Sequence, residues 1–253
     1  MPTGEILLEH YREVLNHNNV NFELCVITNK DAKDGGILLV GMNPSGNGRK
    51  ELFDYIEQCF EEEGKKDGFW NPKHRMMGKG DIKNNFDNKC GFIDLFPIRK
   101  GDQKAFEKNN DSNNQMMGQL LGVTQDYIET LHPRLIIFAN TSDYYWGFTK
   151  EKDRLKLKPG EGFWMGYKFE PLPSPLKGRQ EKDYWPFFKI IGIDPSGVNK
   201  FRRTTQLQNT YFLRYRQHEA HGQIVKPERE LTPEDIRTIV NWINDPEWTA
   251  KLL

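Results

Sequence analysis

Four short clusters in this chain combine side chains able to act on a bound molecule. Asn43-Pro44-Ser45-Gly46-Asn47-Gly48 sets an amide in a run of turn residues. An amide oxygen can hold a water but cannot take its proton strongly at neutral pH. Residues 94–99 bring a carboxylate (Asp94), a ring (Phe96) and a guanidinium (Arg99) close together. Residues 140–144 open with a second amide, Asn140. Residues 217–221 supply two imidazoles, His218 and His221. The first three clusters each follow a short apolar run and the fourth an alternating one, and in open parallel sheets ligands bind beyond the carboxyl ends of strands.

Asp94 lies within an apolar segment, where an unpartnered carboxylate would be costly. Either it stands at the mouth of a site or it pairs with Arg99 or a backbone donor. Arg99 is suited to a phosphate contact or to a surface ion pair. Residues 200–216 (KFRRTTQLQNTYFLRYR) hold Lys200, Arg202, Arg203, Arg214 and Arg216 with no acid, and Phe201, Tyr211, Phe212 and Tyr215 are interleaved. Charge that tracks a backbone, with rings that stack on bases, is what single-strand binding uses. The competing reading is a solvated sheet edge guarded by arginine.

Three runs must position these clusters. Residues 37–42 (ILLVGM), 90–96 (CGFIDLF) and 134–140 (RLIIFAN) are apolar without alternation, the pattern of strands covered on both faces. A helix is expected over 4–17, with Ile6, Leu7, Tyr11, Val14 and Leu15 at helical spacing. Further helices are expected over 50–65, over 115–130, near Ser142-Asp143, and from Thr232, where Pro233 and Glu234-Asp235 suit a first turn. Residues 22–27 suggest a short edge strand, and 163–169, 187–193 and 211–217 suggest strands. Pro171, Pro173 and Pro175 mark a loop, and 64–88 reads as a long excursion. The order strand–helix–strand–helix–strand predicts one α/β domain over 1–253, a three-layer αβα sandwich with a mostly parallel central sheet. Residues 192–197 (GIDPSG) echo 41–46 (GMNPSG), but the flanks do not repeat, so the echo reads as two strand-end turns.

Composition sets the outer bounds. With 36 basic and 36 acidic residues, a non-specific nucleic-acid coat is disfavoured, while a local basic patch stays open. Three cysteines, Cys25, Cys59 and Cys90, have no paired spacing and argue against a zinc site or a disulfide framework. No metal and no cofactor are expected. The first residues lack a signal-peptide pattern and no run is long enough to span a membrane, so a cytoplasmic protein is expected. There is no GxSxG, GxxxxGK[ST], HExxH or GxGxxG.

The succession strand–GMNPS, strand–DLFPIR and HP–strand–AN resembles the uracil-DNA glycosylase-like superfamily, both its mismatch-type branch with a Gly-x-Asn-Pro motif and uncharacterised bacterial relatives. The motifs span about 110 residues, from Ile37 to Trp146. The resemblance implies that Asn43 positions the attacking water, that Gly41 permits close approach of a flipped nucleotide, and that Pro44 fixes the turn. It implies a binding surface from Gly41, Met42, Pro44, Ser45, Asp94, Phe96, Arg99 and Asn140, with Phe96 able to stack on a base. The family also uses a late His that hydrogen-bonds the leaving base. Here Leu172-Pro173-Ser174-Pro175-Leu176 keeps Pro-Ser-Pro-Leu but carries Leu in place of that His, so His218 or His221 would have to supply it. DNA, a nucleotide or a nucleobase is the implied partner, and hydrolysis of an N-glycosidic bond the implied reaction. A non-catalytic binding module on the same fold, or a small-molecule enzyme sharing only the sandwich, fits the same residues.

Overall fold

The apolar runs become strands because each can satisfy its backbone on two neighbours while burying both faces. In the computed structural model, the structure describes residues 4–30, 35–44, 52–55, 76, 90–99, 114–138, 143–148, 164–176, 186–194, 202, 204–215 and 230–245. Within these the chain order is α1 (Gly4–His17), β1 (Cys25–Thr28), β2 (Ile37–Gly41), β3 (Leu52–Tyr55), β4 (Cys90–Asp94), α2 (Asn114–Leu131), β5 (Leu135–Phe138), α3 (Asp143–Trp146), β6 (Tyr167–Leu172), β7 (Phe187–Ile193), β8 (Tyr211–Arg214) and α4 (Pro233–Asn244).

The protein is α/β, with a six-stranded mixed sheet in the order β4-β2-β5-β8-β7-β6. The four strands β4, β2, β5 and β8 are mutually parallel, and β7 and β6 close the sheet in antiparallel pairs. Strand residues alternate between two cores. Leu38, Val40, Ile93, Ile136, Phe138 and Phe212 pack with Leu7, Tyr11 and Leu15 of α1 and with Met117, Leu120 and Ile128 of α2. Leu39, Phe92, Leu135, Ile137 and Leu213 pack with Ile236, Ile239 and Trp242 of α4. Helices therefore cover both faces, an arrangement compatible with three layers. No helix among the described residues is long and apolar enough to cross a membrane.

Helix α4 begins where the sequence indicates. Thr232 caps it: its side chain accepts from the Asp235 N–H at 3.2 Å, while Asp235 Oδ2 accepts from the Thr232 N–H at 2.8 Å. Helix α1 matches its expected span, although Ile6 is 44% exposed and Leu8 is buried in its place.

Residues 52–55 depart from the expected helix over 50–65. They form β3, parallel to β1 and paired from Cys25–Leu52 to Thr28–Tyr55. The apolar spacing 52, 55, 56 fits a helix face, but β1 offers an unpaired edge, and tertiary pairing overrides a short local pattern. The remainder of that span and, residue 76 aside, the excursion 64–88 lie outside the described residues. Strand β6 also differs: it includes Pro171 and Leu172, read from sequence as loop. Proline is tolerated there because β6 is the last strand of the sheet order.

Strand β1 borders the outer edge of β4. Cys25 N donates to Pro97 O at 2.6 Å. The Asn29 side chain acts as a substitute strand, with Oδ1 accepting from Phe92 N at 2.9 Å and Nδ2 donating to Cys90 O at 3.2 Å.

Candidate functional site

Strand order decides where a site can form. From β2 the chain goes to β4 on one side, then returns to β5 on the other. That reversal is a topological switch point between β2 and β5, and the crevice outside the carboxyl ends of such strands is where open α/β sheets bind ligands. The strand ends are level: Val40 partners both Ile93 and Phe138, Gly41 partners Asp94, and Phe138 partners Arg214. Beyond the strands the ladder continues, with Leu95 N donating to Gly41 O and Phe96 N to Met42 O, each at 3.0 Å. Tyr215 N donates to Phe138 O at 2.9 Å. The Asn43 turn, the end of β4, the exit of β5 and the exit of β8 thus share one edge of the sheet.

A buried hydroxyl relay fixes the end of β4. Thr124 Oγ1 donates to Leu95 O at 2.7 Å, so its single proton is committed there and Tyr11 OH donates to Thr124, also at 2.7 Å. Both surrounding helices therefore hold the backbone next to Asp94. Burial pushes the Tyr11 phenol well above its ordinary range, and the nearby Tyr127 and Asp94 charges add to that rise against the opposing Thr124 bond.

Asn43 is half-buried, and its side-chain amide donates to Pro44 O at 3.1 Å. That local bond helps to close the turn, and an amide oxygen is the end of the group that can accept from a water. Asp94 is 5% exposed and, by the strand period, faces the α4 side with Phe92. Its carboxylate lies directly over Gly41. A Cβ added at Gly41 would overlap Asp94 Oδ1 and stand 3.2 Å from its Cγ and 3.1 Å from Phe92 Cζ. The room that glycine leaves on β2 is therefore filled by Asp94. Expected as the place of approach for a nucleotide, Gly41 in this structure admits the neighbouring carboxylate.

Several expected roles are corrected. Phe96 is 0% exposed and packs edge-on against Tyr145 at 4.9 Å between ring centres, so it has no surface on which a base could stack. The two residues after β4, Leu95 and Phe96, both turn into the core under α1 and α2. Met42 is buried in the same core and contributes to the site edge only through its carbonyl. Arg99 is held on the β1 side: its Nη2 donates to Cys25 Sγ at 3.0 Å, which draws the guanidinium away from the switch point. Pro44 is buried within the turn.

The basic stretch is also corrected. Strand β8 is interior, between β5 and β7, so it is neither a stacking surface nor a sheet edge. Phe212 and Tyr215 are buried. Arg202 is engaged by Asp126 and by buried Glu129, the latter at 3.7 Å. Arg214 lies 5.8 Å from the Phe148 ring centre, a cation–π contact. A phosphate would have to displace these partners. Ser45, Asn140, Lys200, Arg203, Arg216, His218 and His221 lie outside the described residues.

Two further sequence features find their place. The 172–176 segment leaves β6, four strands from β2, or about 19 Å at ordinary strand spacing, whereas β8 ends two strands away, about 10 Å. The exit of β8 is thus the nearer source of a late polar group. The GIDPSG echo follows β7, which is antiparallel to β8, so it begins at the opposite end of the sheet from Asn43.

Sequence reasoning missed Glu129. Only 3% exposed, it accepts from Tyr167 OH at 2.8 Å, Thr205 Oγ1 at 2.6 Å and Gln206 N at 2.8 Å. This cluster joins the last turns of α2 to the segment entering β8, at the amino end of the parallel strands, and is structural. Its only sequence signal is an acid on the apolar face of a helix. A cavity of about 10 Å³, lined by residues including Thr28, Asn29, Gly36 and Tyr127, lies at that same end. It is water-sized and too small for a substrate. Among the described residues no group of three or more His, Cys, Asp or Glu is placed to hold a metal.

No protein-family model matches the chain, and no curated protein is significantly similar to it in sequence.

Proposed function

We propose that this protein is a uracil-DNA glycosylase-like hydrolase that cleaves the N-glycosidic bond of a damaged or mismatched base, with Asn43 holding the attacking water. One observation carries the reading. The strands bearing the three motifs are adjacent and parallel, and the Asn43 turn opens at the β2/β5 switch point. A nucleoside held there would meet the Asn43 amide and the exits of β5 and β8. The chemistry is consistent with this set: cleavage passes through a cationic sugar and needs an oriented water. Asn43 orients but is a weak base, so turnover is slow compared with a carboxylate-based enzyme. Phe96, Arg202 and Arg214 are engaged elsewhere and take no part in recognising the base.

The test is incubation of uracil-, mismatch- and alkylated-base oligonucleotides, single- and double-stranded, with wild type and Asn43→Ala. The expected result is an abasic product from wild type, reduced roughly 100-fold or more in Asn43→Ala. No abasic product from wild type, or equal product from the variant, overturns the assignment. Binding without cleavage would indicate a non-catalytic module.

A further inference from the structure

The last turn of α1 ends in a way that opens a groove beside it. Asn19 adopts a left-handed backbone, with φ at 53°, which asparagine tolerates better than most residues. Its N–H donates to Asn16 O at 3.1 Å, and the Val20 N–H donates to Leu15 O at 3.1 Å. These are the paired bonds of a Schellman ending, which reverses the chain and sets Val20 beside Leu15. Asn18 pins the reversal: its side-chain amide donates to Val14 O at 2.7 Å and to Gln119 Oε1 of α2 at 2.6 Å. Residues 20–23 then return along an extended path, and Leu24 pairs with Ile98 just before β1 begins.

A groove of about 510 Å³ lies between the helix end and this returning segment. Small-molecule sites fall at roughly 300–1,000 Å³. The floor is apolar, made by Leu15, Val20 and Phe22, which also pack on the main core. The walls are polar, with Arg12 and Asn16 from the helix facing Asn21 and Glu23 from the returning segment.

Charge narrows the choice of ligand. The walls carry one guanidinium and one carboxylate, so an anion drawn to Arg12 is opposed by Glu23, and a cation drawn to Glu23 is opposed by Arg12. Arg12 also pairs with Glu9 across one turn, with 39% and 61% of the side chains exposed, so that pair is worth little and a ligand can share it. A nucleotide phosphate would meet one cation against these two carboxylates. The carboxyl end of α1 adds partial negative charge, which favours an ammonium. A molecule that answers all of these features carries a carboxylate, an ammonium and an apolar body together. The amides of Asn16 and Asn21 each offer a donor and an acceptor to the same polar head.

We propose that this groove binds a free α-amino acid with an apolar side chain. Its carboxylate meets Arg12, its ammonium meets Glu23, and its side chain lies on the floor of Leu15, Val20 and Phe22. The groove shares no residue with the Asn43 turn, and the proposal does not depend on the N-glycosidic reading.

The experiment titrates the full chain with L-phenylalanine, phenylalaninamide, N-acetylphenylalanine and glycine, followed by backbone amide NMR shifts at mildly acidic pH, where free α-amines are protonated. L-Phenylalanine should saturate with a Kd of about 1 mM and move the amides of residues 12–23. Each of the other three lacks one contact (carboxylate, ammonium or side chain) and should bind about fivefold more weakly or worse. Arg12→Gln should remove the preference over phenylalaninamide and keep that over N-acetylphenylalanine. Glu23→Gln should do the reverse. The same amide spectra show whether each variant is folded. No saturation up to about 20 mM, shifts centred outside residues 12–23, or folded variants that keep both preferences overturn the proposal. N-Acetylphenylalanine binding as tightly as L-phenylalanine would mark a simple anion site and overturns it as well.

Discussion

The fit of Asp94 over Gly41 makes a quantitative prediction about stability, separate from activity. In Gly41→Ala the new methyl overlaps Asp94 Oδ1 and presses on Phe92, 3.1 Å from its Cζ. The position is closely packed, with Gly41 and Phe92 buried between neighbouring strands. Overpacking of this kind costs about 1–3 kcal/mol, and the lower backbone entropy of alanine returns about 0.5–1 kcal/mol. Gly41→Ala should therefore destabilise by roughly 1–2 kcal/mol, a fall in Tm of roughly 2–8 °C for a chain of this size. In an Asp94→Ala background the carboxylate is gone and only the Phe92 contact remains, so the same substitution should cost about 0–0.5 kcal/mol. The coupling, about 1–2 kcal/mol, is read from urea unfolding of wild type, both single variants and the double variant. If Gly41→Ala costs the same in both backgrounds within about 0.5 kcal/mol, the carboxylate does not occupy that space and the reasoning fails.

Three further outcomes follow from other parts of the fold. Glu129→Ala should destabilise by about 3 kcal/mol or more in urea unfolding, because the Tyr167 hydroxyl, the Gln206 N–H and Arg202 lose their buried acceptor; a loss under about 1 kcal/mol would contradict the geometry. Thr232→Ala should cost about 1 kcal/mol through loss of the capping box, and Thr232→Asp or Thr232→Ser should restore most of it. Tyr11, Tyr127 and Tyr167 all have phenols raised above the ordinary value near 10, with burial the largest cause in each. A raised folded pKa contributes stability that is fully present below the unfolded pKa and is lost as pH rises toward the folded one, so stability should be flat through neutral pH in respect of these groups and fall above about pH 10. Tyr11→Phe should flatten that alkaline fall when unfolding is followed from pH 8 to 11; an unchanged slope would show that Tyr11 is not protected from ionisation.

Local pattern was sufficient for much of the frame. The runs at 37–41, 90–94 and 135–138 are dominated by apolar residues without alternation, the pattern of short strands covered on both faces, so β2, β4 and β5 were legible without neighbours. Helix α4 was equally legible, because Thr232, Pro233 and Asp235 satisfy its first turn from within the turn itself. Asn43 and Asp94 could be named as strand-end groups from the same runs. Tertiary structure alone decided the rest. Residues 52–55 have helical spacing and form a strand because the edge of β1, more than twenty residues earlier, takes them. Whether Phe96 meets a base or the core depends on the turn after Asp94, which sends it toward Tyr145. Arg202 reads as free basic charge until α2 brings Asp126 and Glu129 to it from 76 and 73 positions away. Strand order, which sets the switch point, and the seating of Asp94 over Gly41 across 53 positions of sequence are likewise long-range. Periodicity records which residues an element buries; it carries no record of which distant element buries them, and the candidate site is made of those distant encounters.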